Sequence, residues 1–260
     1  MSDGDGRRTK VGFISPPTYF DITPTDFLRV APGNIDVTQV QMRLDGMGGH
    51  TMGEFDLRLI EAAVPEMTRC AIDLAAAGAD LVIQFGVPFS LIHGEHARDV
   101  QQEISRACKT PVIMAGVAML DALDVFDVHR VAVASGYFDD AWTAIFRVKL
   151  MQNDLQVPYM ENWVRQGVMD AQAESDIAAW DFRTEPARAG VLKAGLNAQD
   201  APALFALGGG VRMLDLADEL ERETRKIVIG ADIALYWKAL QHLRLKPRSD
   251  GFGRLLGLLG

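Results

Sequence analysis

Short apolar runs alternate with amphipathic stretches along this chain, and the hydrophobic period changes from one to the next. Lys10 to Ile14 is a short apolar run and reads as a strand. Asn34 to Leu44 carries β-branched residues in period-two alternation and reads as a second. Glu54 to Ala77 places Ile60, Val64, Met67, Ala71 and Leu74 on one helical face, which predicts a single long helix ending at Gly78. Leu81 to Phe85, Pro111 to Ala115, Arg130 to Ala134, Ala203 to Leu207 and Lys226 to Ile229 are further apolar runs of strand length. Helical spacing is expected over His96 to Cys108, between Ala115 and Arg130, and over Phe138 to Gln152, Met213 to Arg225 and Asp232 to Leu243. Gln156 to Asp181 has weak periodicity and contains Tyr159, Trp163 and Trp180; it reads as a lid or inter-domain cover.

Strands that alternate with helices argue for an α/β fold with mostly parallel sheets, whose strands are buried on both faces and therefore continuously apolar. In such folds ligands sit beyond the carboxyl ends of the strands. That rule selects the loops Ser15 to Tyr19, Gly86 to His93, Ser135 to Asp139 and Leu207 to Val211, with the glycine-rich Asp45 to Gly53 after the second strand.

The chain has 260 residues, 48% of them hydrophobic, which suits a globular protein of one large or two small domains. A net charge of −9 argues against a nucleic-acid partner, because phosphate backbones are held by Lys and Arg. No apolar run reaches the length of a bilayer span, and the polar start, Met1 to Lys10, does not read as a signal peptide but as a disordered lead-in. Cys70 and Cys108, the two cysteines, each fall on the apolar face of an expected helix and read as core residues in a cytoplasmic protein.

Histidine is the usual general acid or base near neutral pH. His50 and His93 lie in loops that the strand-end rule places at the site, and His96 follows in a helix's first turn. His93, Glu95 and His96 do not have a recognised metal-ligand spacing, so no metal is expected. Asp139 and Asp140 read first as a helix N-cap and a first-turn charge. Asp45 and Tyr19 are weaker acid candidates on loops. Gly208-Gly209-Gly210 is a turn that lets backbone approach a ligand, but no Lys-Ser/Thr follows it as in a phosphate-binding loop. Arg212 reads either as a carboxylate partner or as a solvated arginine at a helix start.

Several segments together resemble the arylmalonate decarboxylase and maleate isomerase branch of the Asp/Glu racemase superfamily. They are Gly12-Phe13-Ile14-Ser15-Pro16-Pro17; Leu81 to Gly86 with Ser90 and Gly94; Arg130 to Tyr137 with Asp139-Asp140; Gly208-Gly209 with Leu214-Asp215; and Gly251 to Leu255. The resemblance implies two pseudo-symmetric Rossmann-like halves with a site in the cleft between them, here 1–117 plus 232–260 and 118–231. It implies no cofactor and a small carboxylate substrate, and it leaves open a homo-oligomer. It also implies a thiol at one or both of two strand-end turns. Leu207-Gly208 and Gly86-Val87-Pro88 stand at those turns in this sequence, so both cysteines are missing. Tyr137 matches the family's donor to the bound carboxylate, and Pro16 a wall of the pocket. Gly208 or Gly209 would offer a backbone N–H to an oxyanion. Gly86 and Val87 would line the substrate, but the usual Thr-Ser pair is replaced by Val87-Pro88, and Pro88 has no N–H. His50 stands where the decarboxylase pattern has a small apolar residue and is the first choice for the replacement acid, ahead of His93. The expected function is a cofactor-independent, decarboxylase-like lyase with a non-cysteine acid. A hydrolase or hydratase with a histidine base, and a non-catalytic carboxylate-binding protein, are the alternatives.

Overall fold

The computed structural model describes residues 7–46 and 56–260. Two four-stranded sheets, all parallel, form its two halves. The first holds β1 (Thr9–Ser15), β2 (Ile35–Gln41), β3 (Leu81–Gln84) and β4 (Val112–Met114) in the order β2-β1-β3-β4. The second holds β5 (Arg130–Gly136), β6 (Gln156–Asn162), β7 (Ala203–Ala206) and β8 (Ile227–Gly230) in the matching order β6-β5-β7-β8. The expected two-halved α/β architecture is therefore present.

The central strands follow from their sequences. All four residues of β3 and all four of β7 are buried, as expected for strands covered by helices on both faces. The edge strands β2 and β6 alternate instead, each with one long side open to water.

The helices are α1 (Thr23–Val30), α2 (Leu57–Glu61), α3 (Val64–Ala76), α4 (Pro88–Leu91), α5 (Ala97–Cys108), α6 (Ala115–Val125), α7 (Asp140–Met151), α8 (Gln172–Trp180), α9 (Thr184–Asn197), α10 (Ala217–Thr224), α11 (Ala231–Leu243) and α12 (Arg254–Gly257). The helices α6 and α11 start directly at the ends of β4 and β8, the equivalent strands of the two sheets, and pack on each other. That contact ties the halves together.

Three expectations need correction. The single helix expected over Glu54 to Ala77 is two, α2 and α3. Pro65 has no N–H to give to a continuing helix and instead occupies the first turn of α3. The stretch read as a lid begins with a strand: Gln156–Asn162 is the edge strand β6. Its Pro158 is tolerated because an edge strand does not need every N–H in its ladder. The helix expected from Met213 begins only at Ala217, because Met213 and Leu214 give their N–H groups to the Asp232 carboxylate, at 2.8 and 3.0 Å.

Cys70 and Cys108 lie in the core. Burial pushes the Cys70 thiol up to about 12, helped by the charge of Glu66. It is a packed thiol, not a nucleophile. Among the described residues no helix is long and apolar enough to cross a membrane.

Candidate active site

The central strands β1, β3, β5 and β7 deliver their following loops to one place. Pro16 comes directly after β1 and Tyr137 directly after β5; Gly86 and Gly208 each come two residues after the end of β3 and β7. Pro16, Tyr19, Phe85, Gly86, Pro88, Phe89, Tyr137, Trp180 and Gly209 surround a narrow cavity of ≈ 20 Å³. That volume holds about one water. Its walls come from both halves of the molecule, at the carboxyl ends of the strands, as the rule for parallel sheets requires.

Hydrogen bonds fix each loop. The Gln84 side-chain amide donates to the carbonyls of Phe85 and Gly86. Ser90 Oγ donates to Val87 O at 3.1 Å and accepts from Gly116 N at 2.8 Å, which holds the loop after β3 on the start of α6. Gln172 Nε2 donates to Tyr137 O at 2.6 Å and to Asp176 at 2.9 Å, joining α8 to the Tyr137 loop. In the loop after β1, Asp21 accepts from Ser15 Oγ at 2.7 Å and from Thr23 N at 2.8 Å. Gln41 Nε2 donates to the carbonyls of Pro16 and Tyr19, at 3.2 and 3.0 Å.

Aromatic rings fill what the glycines leave. Tyr137 stacks on Phe138 with centroids 4.7 Å apart and meets Trp180 edge-on at 5.6 Å. Tyr19 stacks on Phe85 at 6.1 Å and meets the same Trp180 edge-on at 5.6 Å. Gly86 and Gly208 have φ of +111° and +102°, a region that disfavours any residue with a Cβ. A Cβ at Gly208 would lie 2.6 Å from Tyr137 Cε1, and one at Gly86 would lie 2.9 Å from the Phe89 ring. The two turns are equivalent in the two halves, and neither has room for a side chain.

Burial raises Tyr137 well above the ordinary phenol value, although the N–H groups of Gly209 and Gly210 favour the ionised oxygen. The hydroxyl therefore stays protonated at neutral pH and can donate to a carboxylate. Tyr19 is also raised by burial, with Tyr137 adding to the effect and Arg212 opposing it. Tyr19 Oη is buried and has no hydrogen-bond partner among the described residues.

Arg212 is not the solvated arginine considered above. It is buried, donates to Asp26 at 2.7 Å and to Tyr236 Oη at 2.7 Å, and lies 3.9 Å from Asp232. Its guanidinium sits 5.4 Å from the centre of the Phe85 ring. Burial alone would lower its pKa, but Tyr236, Asp232, Tyr19 and Asp26 more than reverse this, so it is a fixed positive charge behind the cavity wall.

The other sequence candidates are placed as follows. Pro16, Gly86, Tyr137 and Gly209 line the cavity; Gly208 packs under the Tyr137 ring, and Val87 is buried at the start of α4. His93 does not line it. Burial lowers its pKa, Lys149 lowers it further, and Glu61 opposes both; its Nε2 is buried without a partner among the described residues. His96 is on the surface, 3.8 Å from Glu95 and 3.5 Å from Asp99. His50 lies outside the described residues. Asp139 caps α7 by accepting from Trp142 N at 2.8 Å, and Asp140 pairs with Arg165. Trp180, from the stretch read as a cover, lines the cavity, and Phe85 and Phe89 line it without having been singled out in the sequence. Large apolar residues beside a strand end look like core until the cavity is visible.

The sequence matches the arylmalonate decarboxylase family over residues 11–256. The chain belongs to that family. An unliganded arylmalonate decarboxylase has the same fold, at 23% identity and a TM-score of 0.75, with 96% of this chain and 99% of that one covered. Maleate isomerase Iso from Pseudomonas putida S16 is similar at 19% identity and a TM-score of 0.72, with 97% and 99% covered. A Nocardia farcinica maleate cis-trans isomerase variant holding a covalent succinylcysteine intermediate is similar at 17% identity and a TM-score of 0.71, with 95% and 98% covered. No curated protein matches the sequence. The family's two-sheet fold thus carries, in this member, glycines packed under rings at two equivalent strand-end turns.

Proposed function

We propose that this chain is a cofactor-independent decarboxylase of a small malonate-like dicarboxylate, and that its proton donor is not a cysteine. In this reading residues 1–117 with 232–260 form one half of the enzyme and 118–231 the other. Relatives of the same fold are named for arylmalonates and maleate, both dicarboxylates. The observation that carries the reading is the composition of the cavity. One side offers the Tyr137 hydroxyl, whose oxygen is met by the N–H groups of Gly209 and Gly210 and whose proton is left to donate. The rest is apolar: Pro16, Phe85, Pro88, Phe89 and Trp180.

That division suits decarboxylation. Hydrogen-bond donors hold one carboxylate and stabilise the charge that develops on it as an enediolate. A dicarboxylate is larger than the ≈ 20 Å³ cavity, so the rings must part to admit it; the second carboxylate, then held against them with no donor, loses its hydration and leaves as neutral CO₂. The buried Arg212 adds a fixed positive field behind Phe85. Cys70 and Cys108 do not line the cavity, so neither supplies the proton.

The test is turnover of α-substituted malonates, from methylmalonate to phenylmalonate, by the purified protein with and without EDTA, followed as CO₂ release. Release that is unchanged by EDTA supports the reading. Hydration or hydrolysis products, or carboxylate binding without turnover, would contradict it.

A further inference from the structure

Deepening the decarboxylase reading above, and resting on it, we infer that the Tyr19 hydroxyl is the general acid that protonates the carbanion left when CO₂ departs. Three observations meet at this residue. Tyr19 Oη is buried, lines the cavity and has no hydrogen-bond partner among the described residues. A buried hydroxyl left unpaired is destabilising, and such an atom calls for a reason. It also stands over the turn after β7: a Cβ at Gly209, next to Gly208, would lie 3.3 Å from it. The proton can therefore be delivered at the strand end where a family thiol would stand, from a side chain rooted in the opposite half.

The third observation is the construction around the residue. Thr18 takes a left-handed φ of +56°, rare for a β-branched residue, and turns the chain immediately before Tyr19. The Tyr19 carbonyl accepts from Gln41 Nε2 at 3.0 Å, and the Asp21 carboxylate closes the next turn on Ser15 and Thr23. Phe85, Trp180 and Phe182 hold the ring, at centroid distances of 6.1, 5.6 and 5.9 Å. The hydroxyl is thus fixed before any ligand arrives, as an efficient acid must be.

The bond between the α-carbon and the departing carboxylate breaks, and its electron pair stays on the α-carbon as the enediolate. Tyr19 O–H breaks, the new C–H bond forms, and the side chain becomes a phenolate. A water then returns the proton, and its hydroxide combines with CO₂ to give bicarbonate. The net reaction turns the malonate dianion and one water into the monocarboxylate and bicarbonate.

Burial keeps Tyr19 protonated, the state an acid needs, and the carbanion is far more basic than any phenolate. The same burial makes Tyr19 a poor base. The enzyme should therefore protonate but not abstract: product incubated in D₂O should not exchange its α-hydrogens.

Tyr19→Phe keeps the ring contacts and removes only the unpaired hydroxyl, so the variant should fold with an unchanged or higher Tm. Its kcat on α-substituted malonates should fall by roughly 10²–10⁴-fold with little change in KM. Residual product from an unsymmetrically substituted malonate should lose its enantiomeric excess, because water then protonates either face. Wild-type turnover in Tyr19→Phe overturns the assignment of Tyr19 and leaves the decarboxylase reading intact. If His50→Ala abolishes turnover while Tyr19→Phe does not, the acid is His50. If the wild-type protein decarboxylates none of these malonates, both the reading and the inference fall.

Discussion

Placing a side chain at Gly208 should destabilise the protein through two separable effects. The first is backbone strain: a residue with a Cβ at a φ of +102° pays roughly 1–2 kcal/mol for the left-handed side of the map. The second is a collision, since the new Cβ would lie 2.6 Å from Tyr137 Cε1 and 3.1 Å from the Phe138 ring. Those rings are packed against Trp163, Trp180, Trp142 and Phe146 and cannot retreat freely. Overpacking of this kind costs about 1–3 kcal/mol. Gly208→Ala and Gly208→Cys should thus each lose about 2–5 kcal/mol, which lowers Tm by on the order of 5–15 °C in a chain of this size. Gly251 supplies the control: its φ is +96°, but nothing lies within 4 Å of its hypothetical Cβ. Gly251→Ala should cost only the backbone part, and the difference between the two alanine variants isolates the collision. The assay is urea unfolding followed by tryptophan fluorescence and circular dichroism. Equal losses at Gly208 and Gly251, or a Gly208→Cys variant as stable as wild type, would refute the reasoning, because the turn would then hold an open thiol slot.

Three further outcomes follow from the same geometry. Tyr137→Phe should raise KM for α-substituted malonates by roughly 10- to 100-fold, the value of a hydrogen bond to a charged group, with a smaller effect on kcat; an unchanged KM would remove Tyr137 from carboxylate binding. Burial raises both Tyr19 and Tyr137, so both keep their protons through the neutral range, and kcat should be flat from about pH 6 to 9. A histidine acid would instead lose activity as pH rises through a value near or below about 6.5, so a falling limb there in a kcat–pH profile would move the assignment to histidine. Arg212→Met should destabilise by about 3–5 kcal/mol in urea, because it strands the buried Asp232 carboxylate and removes the 2.7 Å bond to Asp26; a loss below about 1 kcal/mol would show that the charge is not held as described.

The central strands were legible because burial on both faces forces a continuous apolar run, as in Leu81–Gln84 and Ala203–Ala206. The edge strand β6 was not, since one of its faces meets water and Pro158 interrupts it. The helix α9 was passed over because its buried face is made of Pro186, Ala187, Gly190, Val191 and Ala194, small residues at helical spacing that carry little hydrophobic signal. At the site, the loops could be named in advance from strand ends alone. The burial of Arg212 could not, because its partners Asp26, Asp232 and Tyr236 come from α1 and α11, far away in sequence. In the sequence Tyr19 is only a weaker acid candidate on a loop, ranked behind the histidines. Only the packing shows its hydroxyl unpaired above the turn after β7.

In the proposed reaction this family member breaks a carbon–carbon bond without a thiol. The direct measurement is ¹³CO₂ release from carboxyl-labelled α-substituted malonates by the cysteine-free variant, Cys70→Ala with Cys108→Ala. Both thiols are buried in the core and their loss should lower stability by roughly 1–3 kcal/mol in total. Release should continue at the wild-type rate in the folded variant. Loss of release in that folded variant, with the wild-type protein active, would contradict it.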